Sequence, residues 1–243
     1  RTAETTGICI TAIFPEKKRI EVVSISRHNI IVSDATRRIK VYGDDAGTIL
    51  LHDSGDRDIW PPTKTEDQVD FDGGQWWDRG YSDAEKAGNP VHRPYFIEGL
   101  IYGKRVDVCI EAPSHVGDVD VGMIEIAAAL PFPVSPRVGA RHGFLTRSEV
   151  LEADGGVEYF ERKDKPRMFE GELPTVATDD AKALFLDFQR ETDITEPFLF
   201  WLNREDEFHT IRDCYMARNA RLGLMSYVTN ALHSIPVNFK EIL

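Results

Sequence analysis

The chain has 243 residues, of which 42% are hydrophobic and 29% charged. That is enough for one large or two modest globular domains with real cores, and it excludes a disordered chain. With 29 basic and 41 acidic residues the formal charge is −12, which argues against general binding to nucleic acid or to an anionic membrane surface. No stretch approaches the ~20 apolar residues needed to span a bilayer, and no signal peptide is visible. The chain opens on Arg1 rather than Met, which leaves room for a preceding leader or strand.

The N-terminal half reads as strands. Ile8, Ile10, Ala12 and Phe14 alternate with Cys9, Thr11 and Ile13. Residues 19–26 (RIEVVSIS), 37–42 (RRIKVY) and 48–52 (TILLH) follow. Period-2 alternation with β-branched residues is the strand signal. Residues 53–94 are then irregular, rich in Gly, Asp and Pro, and they hold Trp60, Trp76, Trp77 and Tyr81. Aromatic residues carry large burial energy, so this stretch is expected to be an ordered excursion. Strand signals return at residues 95–97, 105–110 (RVDVCI) and 121–126 (VGMIEI). Pro131, Pro133 and Pro136 break ladders and helices alike, which places a domain boundary there. Two domains are therefore expected, residues 1–130 and 137–243.

In the second part, residues 156–162 (GVEYFER) and 167–173 (RMFEGEL) read as a hairpin or neighbouring strands. Residues 179–191 are the one strong helix. Thr178 is its predicted N-cap, and Asp179 and Asp180 suit the positive helix start. Ala181, Leu184, Phe185 and Phe188 form its apolar stripe. Residues 198–202, 210–216, 225–229 and 235–239 read as strands.

Chemistry-bearing motifs are sparse. HExxH, P-loop and GxGxxG patterns are absent, and the histidines lack metal-ligand spacing. The run His52-Asp53-Ser54-Gly55-Asp56 holds a base, a carboxylate and a nucleophile type, but it lacks the Gly-x-Ser-x-Gly elbow and reads as a turn. Asp44-Asp45 and Asp118/Asp120 read as solvated acidic turns rather than calcium loops. Cys9, Cys109 and Cys214 are far apart, with no CxxC pair. They are expected as three buried thiols of a protein made in a reducing cytoplasm. Trp76, Trp77, Arg79 and Tyr81 combine flat aromatic faces with polar groups, as a glycan or partner contact does. Burial of both Trp side chains, pinning the loop, is the competing expectation.

The order of motifs is similar to that of a known family. Ser26-Arg27-His28-Asn29 precedes Thr36-Arg37-Arg38-Ile39-Lys40-Val41-Tyr42, then Leu51-His52-Asp53-Ser54-Gly55, Trp60-Pro61-Pro62 and the Trp-Trp loop. This resembles the galactose-binding-like (discoidin-type) jelly roll of certain tail proteins of long-tailed phages and prophages. Gly155 to Phe160, the helix, Pro197-Phe198-Leu199-Phe200 and Val237-Asn238-Phe239-Lys240-Glu241 resemble the tail-assembly module of the same proteins. The resemblance spans nearly all of the chain. It implies a mainly β protein: an N-terminal antiparallel jelly roll, and a C-terminal tail-tube-like β-sandwich with one helix. It also implies a non-enzymatic virion component without cofactor or metal. Such a component assembles as a homo-oligomeric ring with other tail proteins, passes DNA through its lumen, and has a jelly roll able to touch host glycan. The alternative is a carbohydrate-binding module or accessory subunit of a glycan-degrading system, which would have no use for the C-terminal part.

Overall fold

The computed structural model describes residues 7–30, 32, 34–60, 92–153 and 155–242. It is mainly β, with 53% strand against 9% helix, and its sheets are antiparallel. The chain divides into two compact units. Unit 1 is Arg1–Ala129 with Trp201–Cys214, and unit 2 is Leu130–Phe200 with Tyr215–Leu243.

Unit 1 is built on one sheet of order β3-β2-β5-β1-β6, with β4 also pairing β2. Its strands are β1 (Ile8–His28), β2 (Thr36–Tyr42), β3 (Leu50–Asp53), β4 (Arg57–Asp58), β5 (His92–Glu111) and β6 (Val121–Ala127). The runs at 8–14 and 19–26, expected as two strands, are one strand of 21 residues. Pro15 interrupts the ladder without ending it, because the register shifts between Ile13 and Lys18. A proline has no N–H to give, and a bulge needs none. The opposing slip falls in β5 between Ile101 and Phe96, where Gly99 adopts φ +94°. Beyond both bulges the original register returns. Ile20, Val23, Ile25, Ile39, Val41, Val106, Val108 and Ile110 form the centre of the core.

Unit 2 has a sheet of order β11-β12-β14-β10-β7, with β13 also pairing β14, and a separate two-stranded ribbon β8-β9. Its strands are β7 (Arg141–Phe144), β8 (Glu149–Glu152), β9 (Glu158–Glu161), β10 (Arg167–Ala177), β11 (Phe198–Trp201), β12 (Cys214–Asn219), β13 (Ser226–Tyr227) and β14 (Leu232–Glu241). Here several local expectations are corrected. The 156–162 run pairs with β8, not with the 167–173 run, which lies between β14 and β7. Residues 210–216 are not one strand: a helical turn, α3 (Thr210–Asp213), which belongs to unit 1, precedes β12. Pro236 sits within β14 where neither β12 nor β13 pairs with it, so no ladder donor is missed.

The predicted helix is present, but it is not uniform. α1 (Thr178–Asp180) runs through a π-helical stretch (Ala181–Leu186) into α2 (Asp187–Thr192). Thr178 is not the N-cap. That position is Ala177, without a side-chain cap, and Thr178 Oγ1 bonds His233 Nε2 at 2.9 Å instead. The helix's Phe185 and Phe188 and the strands' Phe169, Phe198, Phe200 and Phe239 form a ring-contact cluster. Phe132, in the proline-rich connector, stacks on Phe185 and Phe239 and meets Phe200 at a tilt, at centroid distances of 6.3–6.5 Å.

Candidate functional site

Trp76, Trp77, Arg79 and Tyr81 lie outside the described residues, as does most of the 53–94 excursion. Its described beginning resolves the His52-Asp53-Ser54 run. The β2–β3 register sets Val41 opposite His52 and Lys40 opposite Asp53. Neighbouring strand residues point to opposite faces, so His52 and Asp53 diverge. The Asp53 carboxylate takes a fork from Arg38, Nε at 2.8 Å and Nη2 at 2.7 Å, and accepts from Gly55 N at 3.0 Å. The Arg38 bonds, opposed in part by desolvation, hold its pKa down at about 2. Ser54 Oγ accepts from Ile39 N and donates to Gly55 O, each at 2.8 Å. His52 Nε2 meets Tyr95 OH at 3.1 Å. These three side chains do not form a nucleophile–base–acid relay: Asp53 and Ser54 close a turn, and His52 reaches Tyr95 instead.

The acidic turns are also committed internally. Asp44 accepts from Thr48 Oγ1 at 2.7 Å and Ile49 N at 2.8 Å, which lowers its pKa. Asp120 shares a reciprocal pair with Asn29. Among the described residues no group of three or more His, Cys, Asp or Glu side chains could hold a metal ion. No described helix is long and apolar enough to cross a membrane.

The cysteines are a correction. Cys9 and Cys109 face each other in the β1–β5 register and are disulfide-bonded. Cys9 is exposed and Cys109 half-buried; Cys214 alone is a buried free thiol. Their separation of 100 residues hid the pairing, and the bridge removes the cysteine argument for a reducing compartment.

Unit 2 carries a surface that single motifs did not announce. In the ribbon, Val150 faces Phe160 and Leu151 faces Tyr159. These side chains are 56%, 65%, 60% and 61% exposed, so both faces of the ribbon are apolar and open. An isolated two-stranded ribbon is marginal in water. Its ends set Glu149 against Glu161 and Glu152 against Glu158. Lys163 bridges the first pair at 2.7 and 3.4 Å, and no ion pair neutralises the second among the described residues. Next to the ribbon in sequence, residues 137–147 (RVGARHGFLTR) hold Arg137, Arg141 and Arg147 and no acidic residue. They include β7, an edge strand that pairs with β10, and the exposed Val138, Phe144 and Leu145. An acidic apolar ribbon and a basic apolar sheet edge thus belong to one unit, and β8 and β9 pair with each other rather than with β7. The alternating sequence VEYFER was a signal for the ribbon; its exposure was not legible. Comparison with protein-family models, with curated proteins and with solved structures finds no match for this chain.

Proposed function

We propose that this protein is a structural subunit of a long-tailed phage tail tip or baseplate, assembling as a homo-oligomeric ring through unit 2. In this reading unit 1 is the galactose-binding-like jelly roll and unit 2 the tail-tube-like sandwich. Unit 1 faces outward, toward other tail proteins or a host-surface glycan. The protein has no catalytic role and needs no cofactor, and its place is the virion.

The observation that carries the assembly reading is the pair of unlike surfaces on unit 2. A head-to-tail contact uses one patch against a different patch of the neighbour, and it closes into a ring when the rotation allows. The ribbon's apolar side chains and the unpaired Glu152 and Glu158 complement the apolar and arginine-bearing β7 edge. An open sheet edge accepts an added strand through main-chain hydrogen bonds. A net charge of −12 also suits a lumen through which DNA slides without sticking.

The test is a particle reconstruction combined with charge reversal. Glu158→Lys should prevent incorporation into tails, and Arg141→Glu in the same chain should restore it in part. A lumen walled by unit 1, or a net positive wall, would contradict the arrangement. A monomer outside any particle that binds sugar would favour the carbohydrate-binding module instead.

A further inference from the structure

The alternation of β2 places Arg37 on the same face as Ile39 and Val41, which are core residues. A guanidinium is thereby driven inside, to 2% exposure. One η nitrogen donates to the main-chain oxygen of Arg93, and the other to that of Pro94 at 3.1 Å. Among the described residues its Nε has no partner, and no carboxylate forms an ion pair with it. A buried cation is ordinarily paired. Here the neighbours are cations. Arg57 stands directly opposite Arg37 in the β2–β4 register, a like-charge placement that normally destabilises a sheet. The charges of Arg93 and Arg57 add to desolvation in pushing the Arg37 pKa down to about 9, while the Tyr95 phenol opposes them.

Above this floor the groups are polar and reachable. The exposed Arg57 guanidinium lies 5.7 Å from the Tyr95 ring centroid, and its Nε donates to Ser54 O at 3.3 Å. Tyr95 OH meets His52 Nε2 at 3.1 Å, and both side chains are half-buried. Burial keeps His52 on the neutral side by lowering its pKa. In a chain of charge −12, positive charge has been concentrated at one corner of unit 1, with no matching acid on Arg37 or Arg57 among the described residues.

We infer that this corner binds an oxyanion, the carboxylate or sulfate group of an acidic saccharide. Arg57 would take the anion in its forked donors, which match a planar carboxylate. Tyr95 OH and His52 would meet neighbouring hydroxyls, while Arg37 supplies a fixed positive field from below. The identification of a saccharide rests on the surface-contact reading of unit 1; the anion site itself does not. Ring assembly is tested separately, so failure of one leaves the other standing.

The experiment titrates the full chain with methyl β-glucuronide, with its neutral twin methyl β-glucoside, and with inorganic sulfate, read by calorimetry and by shifts of the His52 ring signals. Glucuronide should bind saturably, with the glucoside at least about tenfold weaker. Arg57→Gln should weaken glucuronide by about tenfold or more, the loss of a charge-assisted hydrogen bond. Lys18→Gln, elsewhere on unit 1, should leave it unchanged. Arg57 is exposed, so this variant should fold as the parent does. Glucuronide tighter than sulfate assigns the site to a glycan acid; equal affinities assign it to a free anion, with the site upheld. Equal binding of the two glycosides, no binding of either anion, or an Arg57→Gln variant that binds like the parent would overturn the inference.

Discussion

The sharpest stability test is Glu241→Ala. Arg167 opens β10 and Glu241 closes β14, one step outside the Met168↔Lys240 pair. Both side chains are 3% exposed, and Arg167 Nη2 donates to Glu241 Oε1. Glu241 Oε2 also accepts from Arg167 N at 2.8 Å. The guanidinium lies 4.5 Å from the Tyr215 ring centroid, so it is packed in place and has no easy route to water. Removing the carboxylate takes from a buried cation and a buried N–H the acceptor that Glu241 supplies. Breaking such a pair costs about 3–5 kcal/mol, against a typical total of about 5–15 kcal/mol for a domain. Urea unfolding followed by far-UV circular dichroism should show a lower midpoint with an unchanged slope. Arg167→Met combined with Glu241→Leu should recover most of the loss, since an apolar pair leaves no orphaned charge. A cost below about 1 kcal/mol for Glu241→Ala would refute the reasoning, because it would mean that the pair is solvated.

Burial holds the His28 pKa at about 4, and the ring packs edge-on against Trp60 at 5.5 Å. The folded state therefore binds fewer protons than the unfolded state between pH 6.5 and about 4. Stability should fall as pH drops through that window, by up to about 3 kcal/mol. His28→Phe should flatten the pH dependence of unit 1 followed by Trp fluorescence, and an unchanged slope would show that His28 does not drive it. For the cysteines, two of the three are bridged, so thiol titration in denaturant without reductant should find one thiol per chain, that of Cys214. Three titrating thiols would show the bridge unformed. Opening it by Cys9→Ser with Cys109→Ser should cost about 2–4 kcal/mol, since it closes a long loop.

Local periodicity alone marked most strands of this protein, because side-chain direction alternates every residue and the apolar set must face one way. RRIKVY yields β2, RMFEGEL lies in β10, and IPVNF lies in β14 on its sequence pattern. The helix was legible for the matching reason: the buried Ala181 and Phe185 and the half-buried Phe188 share one stripe. Partnership was not legible, because it depends on groups far apart in the chain. Nothing near GVEYFER says that it joins β8 rather than β10, and nothing near Cys9 names Cys109. TIRD carries the apolar spacing of a strand, yet it forms a helical turn, since four residues leave periodicity too short to decide. Arg37 shows the division most plainly. Its alternation with Ile39 and Val41 fixed the face, but only the packed sheet decided that this face is interior there, and that Arg57 and Arg93 would meet it. Element type is written in a few consecutive side chains; burial, charge neighbours and open surfaces are properties of the assembled sheet.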